Sequence, residues 1–235
     1  MSPAKKKAEV GPARNAKPTK ATKATKAAKA ARTASDRARA EMWFDPACPW
    51  AWLTSRWLME VEKVRDVDLT WSVMSLSVLN EKADLSQEYR DLMEQAWGPV
   101  RVIIAASQAH GAKVVKPLYD AMGTRIHLGQ MKDYERVVAE SLEEVGLAAS
   151  LGRAARQKKY DAALRRSHRR GISLVGTDVG TPVSSVGPVA FFGPVVTPTP
   201  RGEAAGRLWD GALLVANTPG FYEIKRSRTQ GPVFD

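Results

Sequence analysis

The chain has 235 residues, 44% of them hydrophobic, and a formal net charge of +11; that is enough apolar material for one sizeable core and excludes a chain disordered throughout. Twelve Lys and Arg fall in residues 1–40 against only Glu9 and Asp36, a charge of +10, so the remaining body carries about +1 and the basic balance describes a tail rather than a domain. No run approaches the roughly 18 apolar residues of a membrane-spanning helix, and a single cysteine, Cys48, excludes an internal disulfide.

Residues 1–40 read as a disordered Lys/Ala-rich tail. Through residue 36 they offer no large apolar side chain except Met1 and Val10, so burial cannot offset the entropy of ordering them. The tail resembles those of nucleoid proteins that hold nucleic acid through phosphate contacts. A solubilising tail and a start assigned too far upstream are equally open readings. The segment lacks the apolar core of a secretory signal, so the expected location is cytoplasmic.

The body, 41–235, opens with Glu41-Met42-Trp43-Phe44-Asp45, a short strand stopped by Pro46. Leu53, Trp57, Val61 and Val64 then recur at helical spacing, so a helix starts near Cys48-Pro49 and turns that face inward. Residues 68–74 alternate as a second strand, with Leu69, Trp71 and Val73 on one side. Residues 84–170 carry helical stretches with expected breaks at Gly98-Pro99, Gly111, Gly123, Gly129, Gly146 and Gly171. Strand character returns at Val183–Val186 and Val189–Phe192 around a Gly187-Pro188 turn. Thr199-Pro200 is the expected cap of a last helix whose buried stripe is Ala204, Leu208, Ala212 and Val215. The order predicts an α/β thioredoxin-like fold with a large all-helical insertion at about 84–170.

A thiol is a good nucleophile as thiolate, and the free N–H groups of a helix start stabilise that anion. Cys48 is placed to benefit, with Pro49 suited to the first turn. A lone cysteine is by default a small core residue. The helix-start position, the Asp-Pro-Ala-Cys-Pro-Trp loop and a later Thr181-Pro182 before a strand point instead to a reactive thiol, with a pKa below the free value. Three scattered histidines and one cysteine give no metal-ligand spacing, and no glycine loop suits a nucleotide.

The segment Trp43-Phe44-Asp45-Pro46-Ala47-Cys48-Pro49-Trp50-Ala51-Trp52 resembles the active-site segment of the actinobacterial DsbA-like, mycothiol-dependent nitroreductase family. So do Val73-Met74-Ser75-Leu76 with Leu79-Asn80-Glu81, Ala96-Trp97-Gly98-Pro99, and Gln108-Ala109-His110-Gly111. Further matches are Ala121-Met122-Gly123 with Arg125-Ile126-His127, Val179-Gly180-Thr181-Pro182, Ala190-Phe191-Phe192-Gly193, and residues 221–235. The resemblance covers about 42–235. It implies a thiol oxidoreductase acting on disulfides, thiol adducts or nitro-type electrophiles, with no tightly bound cofactor and mycothiol or a similar small thiol as cosubstrate.

The family motif is commonly Cys-Pro-Trp-Cys, whereas Ala51 stands at the second cysteine's place. A resolving thiol there is absent, which implies a monothiol cycle closed by an external thiol. The resemblance also assigns Trp50 to the thiol's flank, Thr181 and Pro182 to a cis-proline loop facing Cys48, and Asn80, Tyr89 and His127 to the substrate pocket. His127 would orient a substrate or, as imidazolium, stabilise a thiolate. Taken singly, Asn80 also reads as a loop cap, Tyr89 as a core tyrosine and His127 as a surface histidine. Two other functions stay open: a transferase or isomerase resembling kappa-class glutathione transferases, and a nucleic-acid-tethered binding module with a degenerate site.

Overall fold

Strand β1, Ala38–Phe44, starts three residues before the expected strand, and its alternate residues Ala40, Met42 and Phe44 are buried on one face. Trp43 on the other face is buried as well, because β1 lies inside a sheet of order β2-β1-β3-β4 and is covered on both sides. The computed structural model describes residues 37–234. The expected basic tail and its nucleic-acid role therefore fall almost wholly outside the described residues; positions 38–40, included in that tail, belong to β1.

Helix α1, Pro49–Val64, buries Leu53, Trp57 and Val61 as the spacing predicts. It returns the chain to β2, Val67–Val73, which runs parallel to β1 from the Ala38–Val67 pair to the Phe44–Val73 pair. A short helix α2, Leu76–Leu79, follows. Across the chain, β3, Val183–Val186, pairs antiparallel with β1 and forms a hairpin with β4, Val189–Phe192. Gly187 takes φ 55° in the connecting turn, a conformation that costs a residue without Cβ little.

Between these halves lie α3, Gln87–His110, α4, Val115–Gly123, α5, Tyr134–Glu144, and α6, Asp161–Ile172. A π-helical turn, Thr124–Leu128, extends α4. The expected break at Gly98-Pro99 does not occur, since α3 continues through Pro99. An interior proline costs about 3 kcal/mol, and here the burial of Val100, Val102 and Ile103 in the following turn offsets it. Gly111 and Gly146 do end helices, at φ 83° and 67°. Gly171 does not: it lies within α6, where a Cβ would come 2.7 Å from the Trp43 ring. Close packing, not chain termination, requires glycine there.

Helix α7, Gly202–Ala216, begins later than expected, with Arg201 at its cap position and no side-chain cap. The buried hydroxyl of Thr199 has no hydrogen-bond partner among the described residues. The buried stripe is also turned by one residue, to Ala205, Gly206 and Trp209, while Ala204 and Val215 are exposed. Trp209 packs on Trp57 with ring centroids 6.0 Å apart, and Trp57 Nε1 donates to Ala205 O at 3.1 Å. The main core joins α1, α7 and the insertion to the Met42–Phe44 face, and a smaller cluster of Trp43, Met74, Ile172 and Val183 covers the opposite face. No helix among the described residues is long and apolar enough to cross a membrane.

Candidate functional site

Cys48 is the N-cap residue of α1, and its Sγ accepts from Ala51 N at 3.5 Å. Pro49 occupies the first turn, where its missing N–H has no intrahelical acceptor to lose. On the other side the thiol donates to Thr181 O at 3.3 Å. The Thr181–Pro182 peptide is cis, and Thr181 Oγ1 donates to Trp43 O at 3.3 Å, tying this loop to β1. Four of the sequence-derived positions, Cys48, Ala51, Thr181 and Pro182, are thus brought together.

The electrostatics depart from the sequence expectation. Burial pushes the Cys48 thiol up to about 12, against the lowering by the Ala51 N–H, and the Asp45 carboxylate adds to the rise. Cys48 is 5% exposed, so removing the anion from water outweighs the helix start. The bond to Thr181 O fits the same state, since a carbonyl accepts from a thiol and repels a thiolate.

Asp45, read from sequence only as the end of a strand, is fully buried. Its carboxylate accepts from Ala47 N at 2.8 Å and Leu76 N at 2.7 Å. Burial still raises it to about 6, with those two bonds opposing. An acidic residue closing an apolar run, two positions before the Ala-Cys step, was the available sequence signal.

His127 is buried rather than at the surface, 6% exposed. Its Nε2 bonds to Pro46 O at 2.9 Å, as a donor because a carbonyl can only accept. Its ring lies between Trp52 and Phe234, each 5.6 Å away by centroid. Burial lowers its pKa to about 4, so the expected imidazolium does not form near neutrality. The ring instead holds the carbonyl two residues before Cys48.

Tyr89, in the first turn of α3, is half-buried, and burial followed by the Cys48 and Asp45 charges raises its phenol. It belongs to the electrostatic surroundings of the thiol. Asn80 closes α2, with its Nδ2 donating to Leu76 O at 2.8 Å. Trp50, half-buried, lies beneath the guanidinium of Arg228 at 5.1 Å. Arg228 and Phe234 come from a C-terminal segment without periodicity, where only the family resemblance of residues 221–235 marked the segment and nothing singled out these two side chains. His168 accepts from Ser75 N and is structural. Among the described residues no group of His, Cys, Asp and Glu could hold a metal ion.

A family model described as "Rv2466c-like: Mycothiol-dependent nitroreductase Rv2466c" matches residues 47–226. A protein of Mycobacterium tuberculosis described as "Uncharacterized protein Rv2286c" is 29% identical over 192 residues, covering 81% of this chain and 82% of that one. The crystal structure of the probable DsbA oxidoreductase SCO1869 from Streptomyces coelicolor aligns with a TM-score of 0.52 at 20% identity, over 83% of this chain and 96% of that one. This likeness shows the fold, a thioredoxin-like α/β domain with a helical insertion.

Proposed function

The chain belongs to the Rv2466c-like family of mycothiol-dependent nitroreductases, and on that premise we propose that it is a cytoplasmic monothiol reductase with Cys48 as nucleophile. It takes mycothiol or a similar small thiol as cosubstrate and reduces disulfides, thiol adducts or nitro-type electrophiles. The observation that carries this reading is the placement of Cys48 Sγ between the first turn of α1 and the cis-proline loop, 3.3 Å from Thr181 O. Tyr89 and Trp50 flank the thiol as substrate-facing surfaces, and His127 acts by fixing the loop.

With a disulfide substrate, Cys48 thiolate attacks one sulfur, the S–S bond breaks, and the departing thiolate takes up a proton. One small thiol then displaces the second substrate half from Cys48 as a free thiol and takes its place in a mixed disulfide. A second small thiol attacks that adduct, leaving as a symmetrical disulfide and returning Cys48 to the thiol, so that two small thiols supply the two electrons. For a nitro group, two thiols give two electrons and two protons, and the products are a nitroso group, water and a disulfide. Ala51 is fully buried one turn beyond Cys48, and Cys48 is the sole cysteine, so the second thiol must come from outside.

Turnover with mycothiol and a disulfide or nitroaromatic probe, with mass analysis of trapped intermediates, tests this. The wild type should carry one thiol adduct on Cys48, Cys48→Ser should be inactive, and Ala51→Cys should replace the adduct by an internal disulfide. Full turnover by Cys48→Ser, or no adduct in the wild type, overturns it.

A further inference from the structure

The C-terminal segment reaches the cysteine loop directly at Trp50 and, on the other side, through His127. Gln230 Nε2 donates to Thr197 O at 3.3 Å and Val233 N to Thr197 Oγ1 at 2.8 Å, which fastens the segment to the chain between β4 and α7. Past that anchor Phe234 stacks on His127, whose Nε2 holds Pro46, two residues before Cys48. Before the anchor, Arg228 lies over Trp50, two residues after Cys48. No carboxylate among the described residues pairs with Arg228; the Trp50 face is its partner. A guanidinium is always charged and loses little by resting on an aromatic face.

Of the guanidinium groups near the sulfur, Arg56 on α1 lies over Trp52 and is paired with Asp120, which leaves Arg228 as the one without a carboxylate partner among the described residues. Asp45 in the loop after β1 opposes an anion on Cys48, and Arg228 favours one. Tyr89 on α3 and Tyr119 on α4 are phenols raised mainly by burial, with the Cys48 charge contributing. His127 is held neutral by burial. Accordingly, we propose that Arg228, delivered over Trp50 by the strap from 228 to 234, is a positioning residue of the thiol site that supplies the counter-charge to the Cys48 thiolate. This rests on the reading of Cys48 as nucleophile.

The sulfur is protonated when covered, and an electrophile seated on Trp50 meets the sulfur and the guanidinium together. Arg228 then favours the anion that attacks.

Alkylation of Cys48 by iodoacetamide, followed by mass in the full-length protein from pH 7 to 10, reads this without turnover. Arg228→Gln should displace the rising limb of rate against pH to higher pH, with rates at a given pH roughly threefold or more below wild type, as expected for loss of a nearby opposite charge. Arg228→Lys should recover most of the difference, and Lys225→Gln, a charge change in the same segment, should leave the limb in place. A limb for Arg228→Gln that superimposes on wild type, or a displacement matched by Lys225→Gln, overturns the proposal. Retained turnover in Cys48→Ser would instead overturn the nucleophile assignment while leaving the Arg228 displacement intact.

Discussion

Cys48 and Thr181, 133 residues apart in the chain, meet through a 3.3 Å bond in which the thiol donates to a backbone carbonyl. The partner and the burial together describe a protonated sulfur at rest. Below pH 8, Cys48 in the native protein should therefore react with iodoacetamide far more slowly than in urea-unfolded protein. Equal rates in the two states would show that burial does not govern the thiol.

The same shift sets a stability slope at high pH. The folded value of about 12 exceeds the ordinary 9.0, so the contribution is complete below about 9 and is lost as pH rises through 12. The unfolding free energy of wild type should fall more steeply between pH 9 and 10.5 than that of Cys48→Ala, as measured by urea titration. Parallel curves would refute it.

His127 and Asp45 give opposite slopes in acid. His127 is lowered from 6.5 to about 4, so its contribution is present above 6.5 and lost as pH falls through 4. Asp45 is raised from 3.8 to about 6, so its contribution is present below 3.8 and lost as pH rises through 6. His127→Gln removes the His127 slope and leaves that of Asp45 in place. The variant's stability deficit against wild type should shrink by up to about 3 kcal/mol between pH 6.5 and 4. A deficit independent of pH would mean that His127 is not held neutral by the fold.

Gly123→Ala and Gly171→Ala should each destabilise by about 1–3 kcal/mol or more, although alanine is the better helix former. The added Cβ would lie 2.2 Å from the Trp52 ring in one case and 2.7 Å from Trp43 in the other. Gly211→Ala, with nothing within 4 Å of its Cβ, is the control and should be neutral or stabilising. Thermal melts of the three variants decide it.

Arg101 grips Asp161 through two bonds, Nε to Oδ1 at 2.6 Å and a terminal nitrogen to Oδ2 at 2.9 Å, and also reaches Ala155 O. Both side chains are largely buried. Lysine cannot reproduce the fork, so Arg101→Lys should lose about 1–2 kcal/mol, and Arg101→Ala about 3 kcal/mol because a carboxylate is left without its partner. Urea titrations of both variants give the two numbers.

Local chemistry by itself determined much of this protein. Alternation in Leu69-Trp71-Val73, the helical spacing of Leu53-Trp57-Val61 and the Gly187-Pro188 turn are short-range patterns, and they placed β2, α1 and the β3–β4 hairpin correctly. The same locality placed Cys48 at a helix start and Thr181-Pro182 before a strand. Long-range packing decided the rest. Pro99 remained inside α3 and Gly171 inside α6 because burial and a close tryptophan outweighed local breaking tendencies, and α7 turned by one residue to seat Trp209 on Trp57. The ionisation of Cys48, Asp45 and His127 belongs to the tertiary structure alone: a helix start is visible in one segment, but exclusion of water depends on chain arriving from Thr181, Leu76 and Phe234.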